Sequence, residues 1–138
     1  MSVYLDTSVL VAALTIEPET ERAQALLARE AAWLVSDWTA AEFSSAIRTK
    51  ARGGFLAADQ VPVLEGALED IRTRHGAPLP MHPQDVRQAR ELVTRIDNLR
   101  APDALHVAAA QRAGAALATL DAAQARAAET LGMEVIRQ

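Results

Sequence analysis

Four acidic residues, Asp6, Glu42, Asp103 and Asp121, stand where a short apolar run gives way to a helical one. Asp6 directly follows the run Val3-Tyr4-Leu5, and Asp121 directly follows the apolar stretch 115–120. Glu42 lies about one turn into the helix expected after Trp33-Leu34-Val35, and Asp103 opens a helix behind Pro102. Each has a plain structural reading. Asp6 and Asp121 suit helix N-caps, Asp103 suits a first helical turn, and Glu42 suits a solvated helix face. For any one of them alone, that reading is the stronger. Gathered at one end of a sheet, four ionised carboxylates repel one another unless something positive sits between them. Oxygen ligands without cysteine select a hard cation, Mg²⁺ or Mn²⁺.

The elements that must position these acids can be read from hydrophobic spacing. Strands are expected at Val3-Tyr4-Leu5, Trp33-Leu34-Val35, 115–120 and 134–136, with a short edge strand at Pro80-Met81-His82. Helices are expected over 9–14, 19–30, 39–52, 59–74, 84–96, 102–113 and 121–131. The 59–74 stretch shows Val61, Leu64, Leu68 and Ile71 at helical spacing, with Pro62 tolerated in its first turn. Gly53-Gly54 and Gly114 suit helix ends. Short strands separated by helices require crossover connections, and therefore a mostly parallel sheet covered on both faces. The expected architecture is a three-layer α/β/α sandwich in one domain, 1–138. In such a sheet, ligands bind outside the carboxyl ends of the strands, where the four acids are expected.

Composition narrows the chemistry. Of 138 residues, 50% are hydrophobic and the net charge is −4, which excludes a disordered chain. There is no run of about 20 apolar residues for a membrane span and no basic-flanked signal segment, so a cytoplasmic protein is expected. The absence of cysteine excludes disulfide scaffolds, thiolate metal sites and thiol nucleophiles. No G-x-G-x-x-G follows the first strand, and neither G-x-x-x-x-G-K-[ST] nor G-x-S-x-G occurs. An aspartyl-phosphate enzyme would carry Asp two residues after Asp6, where Ser8 stands. A receiver domain needs a lysine at a strand end, and the single lysine, Lys50, falls within a helix. Metal-assisted hydrolysis survives this elimination.

Several segments together carry a resemblance: Tyr4-Leu5-Asp6-Thr7-Ser8-Val9-Leu10, Thr39-Ala40-Ala41-Glu42-Phe43, Leu99-Arg100-Ala101-Pro102-Asp103-Ala104-Leu105-His106 and Ala118-Thr119-Leu120-Asp121. In order and spacing they resemble the PIN-domain nucleases, and more narrowly the VapC-type toxins of type II toxin–antitoxin pairs. The resemblance covers essentially the whole chain and keeps all four acids. It implies a Mg²⁺- or Mn²⁺-dependent endoribonuclease, usually a homodimer, held inactive by a cognate antitoxin. By motif, Asp6, Glu42, Asp103 and Asp121 would form the metal site and the catalytic set, with Ser8 and Thr119 supporting them. Asp6 and Asp103 rank first as ligands, while Glu42 would bind the ion or orient the water. Cations held there would lower the pKa of a water and neutralise charge on the scissile phosphate. In-line attack by water leaves a 5′-phosphate and needs no histidine base.

Other residues have two readings. His106 lies three positions after Asp103 on the same helix face, and packing or a supporting hydrogen bond is favoured over ligation. His75 and His82 read as surface residues, and Trp33 and Trp38 as core rather than base-stacking platforms. The basic residues are thirteen arginines and one lysine. Among them Arg48, Arg52 and Arg100 are the candidate RNA contacts, against the equally good reading of solvated faces. Two rival functions remain at this level: a metal-dependent phosphatase using Asp6, and a non-catalytic interaction domain whose acids only cap helices. The charge balance does not oppose an RNA substrate. Setting aside the four candidate ligands leaves fourteen acids against fourteen bases.

Overall fold

The computed structural model describes residues 1–137. Four parallel strands run in the order β2-β1-β3-β4: β1 (Ser2–Leu5), β2 (Ala32–Leu34), β3 (Ala116–Ala118) and β4 (Val135–Ile136). Seven helices connect and cover them among the described residues: α1 (Thr7–Leu14), α2 (Thr20–Leu27), α3 (Asp37–Arg52), α4 (Gln60–Thr73), α5 (Pro83–Arg95), α6 (Ala101–Arg112) and α7 (Ala122–Thr130).

The strands are nearly all apolar because each is covered on both faces. Side chains alternate between two cores. Val3, Leu5, Trp33, Ala116, Ala118 and Ile136 pack with Val9 and Leu10 of α1, Leu26 of α2, Phe43 and Ile47 of α3, and Leu64 and Leu68 of α4. Tyr4 and Leu117 turn the other way, against Ala89 and Leu92 of α5, Val107 of α6 and Ala127 and Ala128 of α7. This is the three-layer sandwich expected from the pattern. Trp33 belongs to the core, and the half-buried Trp38 donates its indole N–H to the Pro102 carbonyl at 3.2 Å.

Helix starts and stops follow local chemistry. Ser36 caps α3 by accepting the Thr39 N–H at 3.0 Å, and Pro102 sits in the first turn of α6, where its missing N–H costs nothing. Gly114 takes φ +65° just after α6, a conformation that side chains with a Cβ avoid. Helix α1 begins two residues earlier than periodicity suggests, and β3 is shorter than the apolar run 115–120.

One expected element is absent. Pro80-Met81-His82 forms no strand; the chain instead makes a single parallel bridge from Leu79 to Ser36, beyond the end of β2. Leu79 donates to Val35 and accepts from Asp37; the next donor on that side would be Met81, but the chain opposite has by then become helical, Asp37 being the first residue of α3. The Pro80 carbonyl accepts from Arg112.

That arginine also anchors α5. Asp85 is 1% exposed and accepts from Arg112 Nε at 2.8 Å, Arg112 Nη2 at 3.0 Å and the His82 N–H at 2.8 Å. Burial pushes the Asp85 carboxyl up, but the hydrogen bonds and charge of Arg112 outweigh it and hold the group below the usual carboxylate range. A carboxyl lowered in the fold stabilises it fully above its unfolded value, about pH 4, and loses that contribution as pH falls through the folded one. Asp85→Ala is expected to cost about 3 kcal/mol at pH 7, because it leaves a partly buried guanidinium unpaired. Urea melts at pH 7 and pH 3 check this: the gap between variant and wild type should narrow at the lower pH.

Candidate active site

The chain leaves β1 on one side to form β2 and later returns on the other side as β3. The boundary between β1 and β3 is therefore the switch point of the sheet, where the connections diverge and a crevice opens at the carboxyl ends. Asp6 follows β1 directly, and its N–H continues the ladder to the Ala118 carbonyl at 3.1 Å. Asp6 occupies the N-cap position of α1, yet its side chain makes no capping bond. Instead Oδ2 accepts from Ser8 Oγ at 2.5 Å and Thr119 Oγ1 at 2.9 Å. Those hydroxyls are pinned in turn by the N–H groups of Leu120 and Asp121. At 4% exposure, the Asp6 carboxylate is held by donors from both strand ends.

The other acids arrive from three helices. Glu42, in the second turn of α3, accepts from Thr7 Oγ1 at 2.7 Å and from His106 Nε2 in close contact. Burial pushes its carboxyl up, but those two hydrogen bonds, with the charges of His106 and Arg100, hold it below the usual range. Asp103 lies in the first turn of α6 and behaves oppositely. Burial raises its carboxyl, and the charges of Asp121 and Asp6 raise it further, against the opposing pull of Arg100 and His106. Asp121 is an N-cap after all, its Oδ1 accepting the Gln124 N–H at 2.8 Å. Gln124, fully buried, also reaches from α7 to the Asp103 carbonyl at 3.2 Å, joining the starts of α6 and α7.

The family model for the PIN domain matches residues 3–130. The chain belongs to the PIN-domain family. Its fold is also that of several solved structures. VapC20 of Mycobacterium tuberculosis, described as a sarcin-ricin loop cleaving toxin, superposes with TM-score 0.73 at 18% identity, over 99% of each chain. FitAcB of Neisseria gonorrhoeae gives TM-score 0.74 at 22% identity, over 98% of this chain and 96% of that one. A toxin–antitoxin complex from Klebsiella pneumoniae gives 0.60 at 18%, over 86% of each. No curated protein sequence matches.

Within this PIN domain, one ligand-type atom from each of Asp6, Glu42 and His106 lies within 4.8 Å of the others. His106 is thus part of the cluster rather than an ordinary packing residue. The sequence does not by itself assign the roles of Tyr4, Thr7 and Thr39, which bond His106 or Glu42, or of Ser36, which bonds Tyr4 and Thr39 behind them. A tyrosine among strand apolars and a run of hydroxyl residues beside the acids were the available signals.

The arginines separate. Arg100 is 80% exposed and stands 3.7 Å from Asp103 Oδ2, at the rim of the cleft. Arg48 pairs with Glu65 of α4 at 2.7 Å, and Arg52 bonds Thr49 in the last turn of α3. The structure does not bring these two together with the acids.

The raised Asp103 carboxyl makes a direct check on the geometry. Asp121→Asn keeps a good N-cap while removing the like charge. In the metal-free protein the Asp103 pKa is then expected to fall toward its ordinary value, read by carboxylate ¹³C titration. An unchanged value would mean the two groups do not share a field.

Proposed function

We propose that this PIN domain is a divalent-metal-dependent endoribonuclease, the toxin of a toxin–antitoxin pair, acting in the cytoplasm as a homodimer with a cognate antitoxin. The observation that carries the reading is the cluster of Asp6, Glu42 and His106, whose ligand-type atoms lie within 4.8 Å of one another at the switch point of the sheet, next to an Asp103 carboxyl raised by burial and then by the charges of Asp121 and Asp6. Groups held this way favour a positive occupant. The donors are carboxylates fixed by hydroxyls, with no thiolate, and they fit a hard ion such as Mg²⁺ or Mn²⁺.

Asp6, Glu42, Asp103 and Asp121 would hold that ion. When bound, it supplies a lowered pKa for water and offsets charge on the scissile phosphate. The chain's own groups do the positioning. Ser8 and Thr119 keep the Asp6 carboxylate from rotating, because each donates to the same oxygen. Glu42, with Oε1 fixed by Thr7 and His106, would orient the attacking water. Arg100, at the rim of the cleft, offers a guanidinium to a backbone phosphate. Water, not the ribose 2′-hydroxyl, is the nucleophile, so the products would carry a 5′-phosphate and a 3′-hydroxyl.

An RNA substrate and an antitoxin partner are supported by the fold shared with the sarcin-ricin loop cleaving toxin and the toxin–antitoxin complex. Among the described residues no helix is long and apolar enough to cross a membrane.

Purified protein incubated with total RNA and Mn²⁺ is expected to cut it, leaving 5′-phosphate ends. Chelation should stop the reaction, and Asp6→Asn should slow it at least about a hundredfold, the loss expected when charge stabilisation worth several kcal/mol is removed. Intact RNA with antitoxin-free wild-type protein would overturn the nuclease reading. A phosphorylated Asp6 trapped by borohydride would favour a phosphatase instead.

A further inference from the structure

Behind the acids lies a buried polar chain that adds no carboxylate of its own. Tyr4, Ser36, Thr39 and His106 are all 0% exposed. Tyr4 Oη stands 2.7 Å from Ser36 Oγ and 2.7 Å from His106 Nδ1. Thr39 Oγ1 donates to the Leu5 carbonyl at 3.0 Å, and Ser36 Oγ accepts the Thr39 N–H at 3.0 Å. On the other edge of the imidazole, Nε2 meets Glu42 Oε1 in close contact and Asp6 Oδ1 at 3.4 Å.

The proton positions follow from what each group can do. The Leu5 carbonyl only accepts, so the Thr39 proton goes there. The Ser36 proton has Tyr4 as its nearer acceptor, at 2.7 Å against 3.2 Å to Thr39. The Tyr4 proton is then directed to His106 Nδ1. Nε2 faces two carboxylates, which accept and do not donate, and the Thr7 hydroxyl at 3.3 Å, whose proton goes to the nearer Glu42 Oε1 at 2.7 Å, so Nε2 carries the hydrogen. A nitrogen that carries hydrogen has no lone pair for a metal.

We infer that His106 is a positioning residue rather than a ligand: held through Nδ1 by Tyr4, it donates Nε2–H to Glu42 and fixes that carboxylate for the ion, with Asp6 Oδ1 facing the same edge of the ring at 3.4 Å. This rests on the metal-dependent reading proposed above. The three-residue spacing from Asp103 puts the ring on the cleft side of α6, and Tyr4 of β1 sets its rotation. Through this ring the sheet fixes the carboxylate of Glu42, on α3, beside that of Asp6, which Ser8 and Thr119 already hold at its own strand end. The arrangement is the one by which outer hydrogen bonds orient the ligands of a metal, here with the imidazole outside the coordination sphere.

The test uses the full chain with ¹⁵N-labelled histidine. Long-range ¹H–¹⁵N spectra should show His106 Nε2 protonated both without metal and with saturating Mg²⁺. Mn²⁺ affinity, read by the EPR signal of the free ion, should fall at least about tenfold in His106→Leu, the lower end of the loss when an outer partner is removed. His106→Gln places an amide N–H near the Nε2 position and should restore most of it, with thermal melts reporting the fold of each variant. Loss of the Nε2 hydrogen on Mg²⁺ addition would overturn the proposal, as would direct ¹⁴N coupling to bound Mn²⁺. Equal Mn²⁺ affinity in wild type and a folded His106→Leu would also overturn it, while leaving the nuclease reading intact. A wild-type protein that binds no Mn²⁺ would overturn both. If His106→Leu fails to fold, the spectra of the wild-type chain still decide the role of Nε2.

Discussion

A carboxylate taken out of water must be surrounded by donors, and Asp6 is that carboxylate here. At 4% exposure its ionised form would be costly without compensation. Two hydroxyls on Oδ2 and the imidazole near Oδ1 provide it. Each donor brings a constraint with it. Ser8 must stand in the first turn of α1, Thr119 at the end of β3, and His106 one turn into α6. The turn after β1 and the length of β3 serve to place a donor on Oδ2, and the depth of α6 sets the imidazole beside Oδ1. Because Asp6 holds the N-cap position without capping α1, its side chain is left for the cleft.

The sheet can deliver those donors only because β1 and β3 are adjacent. Register pairs Leu5 with Ala118, so the residues that follow, Asp6 and Thr119, emerge side by side. Small side chains let the layers come this close. The alanines of β3 and of α6 (Ala104, Ala108, Ala109 and Ala110) are buried, and bulk comes instead from Leu5, Leu117, Phe43 and Leu92. The alanine content that looks uninformative in the sequence is what sets the distance between α6 and the sheet, and hence the reach of Asp103 and His106.

Much of this was legible in one dimension. Strand ends followed by polar residues located Asp6 and Asp121, and Pro102 announced the helix on which Asp103 stands. Local rules suffice there because strand termini and helix starts are decided by neighbouring residues. The supporting network was not legible, for a physical reason. Tyr4 and His106 are 102 positions apart, and nothing near either one specifies the hydrogen bond between them. Arg48 and Arg52 show the same limit from the other side. Their basic helix face suggested phosphate contacts, but Arg48 is neutralised by Glu65 across the α3–α4 pair, a partner visible only after folding. Pro80-Met81-His82 failed as a strand because the chain it would pair with turns into α3 at Asp37, which apolar character in the segment itself does not reveal.

The cleft also joins the two cores. Phe43 and Ile47 put α3 on one face of the sheet, while α6 packs on the other with Tyr4, and the bonds among Tyr4, His106 and Glu42 pass between the faces around the strand ends. In the absence of a cation, the charged form of Asp103 is disfavoured at this boundary, first by burial and then by the charges of Asp121 and Asp6. An ion that binds only the folded arrangement reverses the sign of that contribution and adds stability in proportion to the logarithm of its concentration. Ion binding and layer packing are then one equilibrium. The net charge of −4 enters here: under the metal-dependent reading proposed above, setting aside the four candidate ligands leaves fourteen acids against fourteen bases.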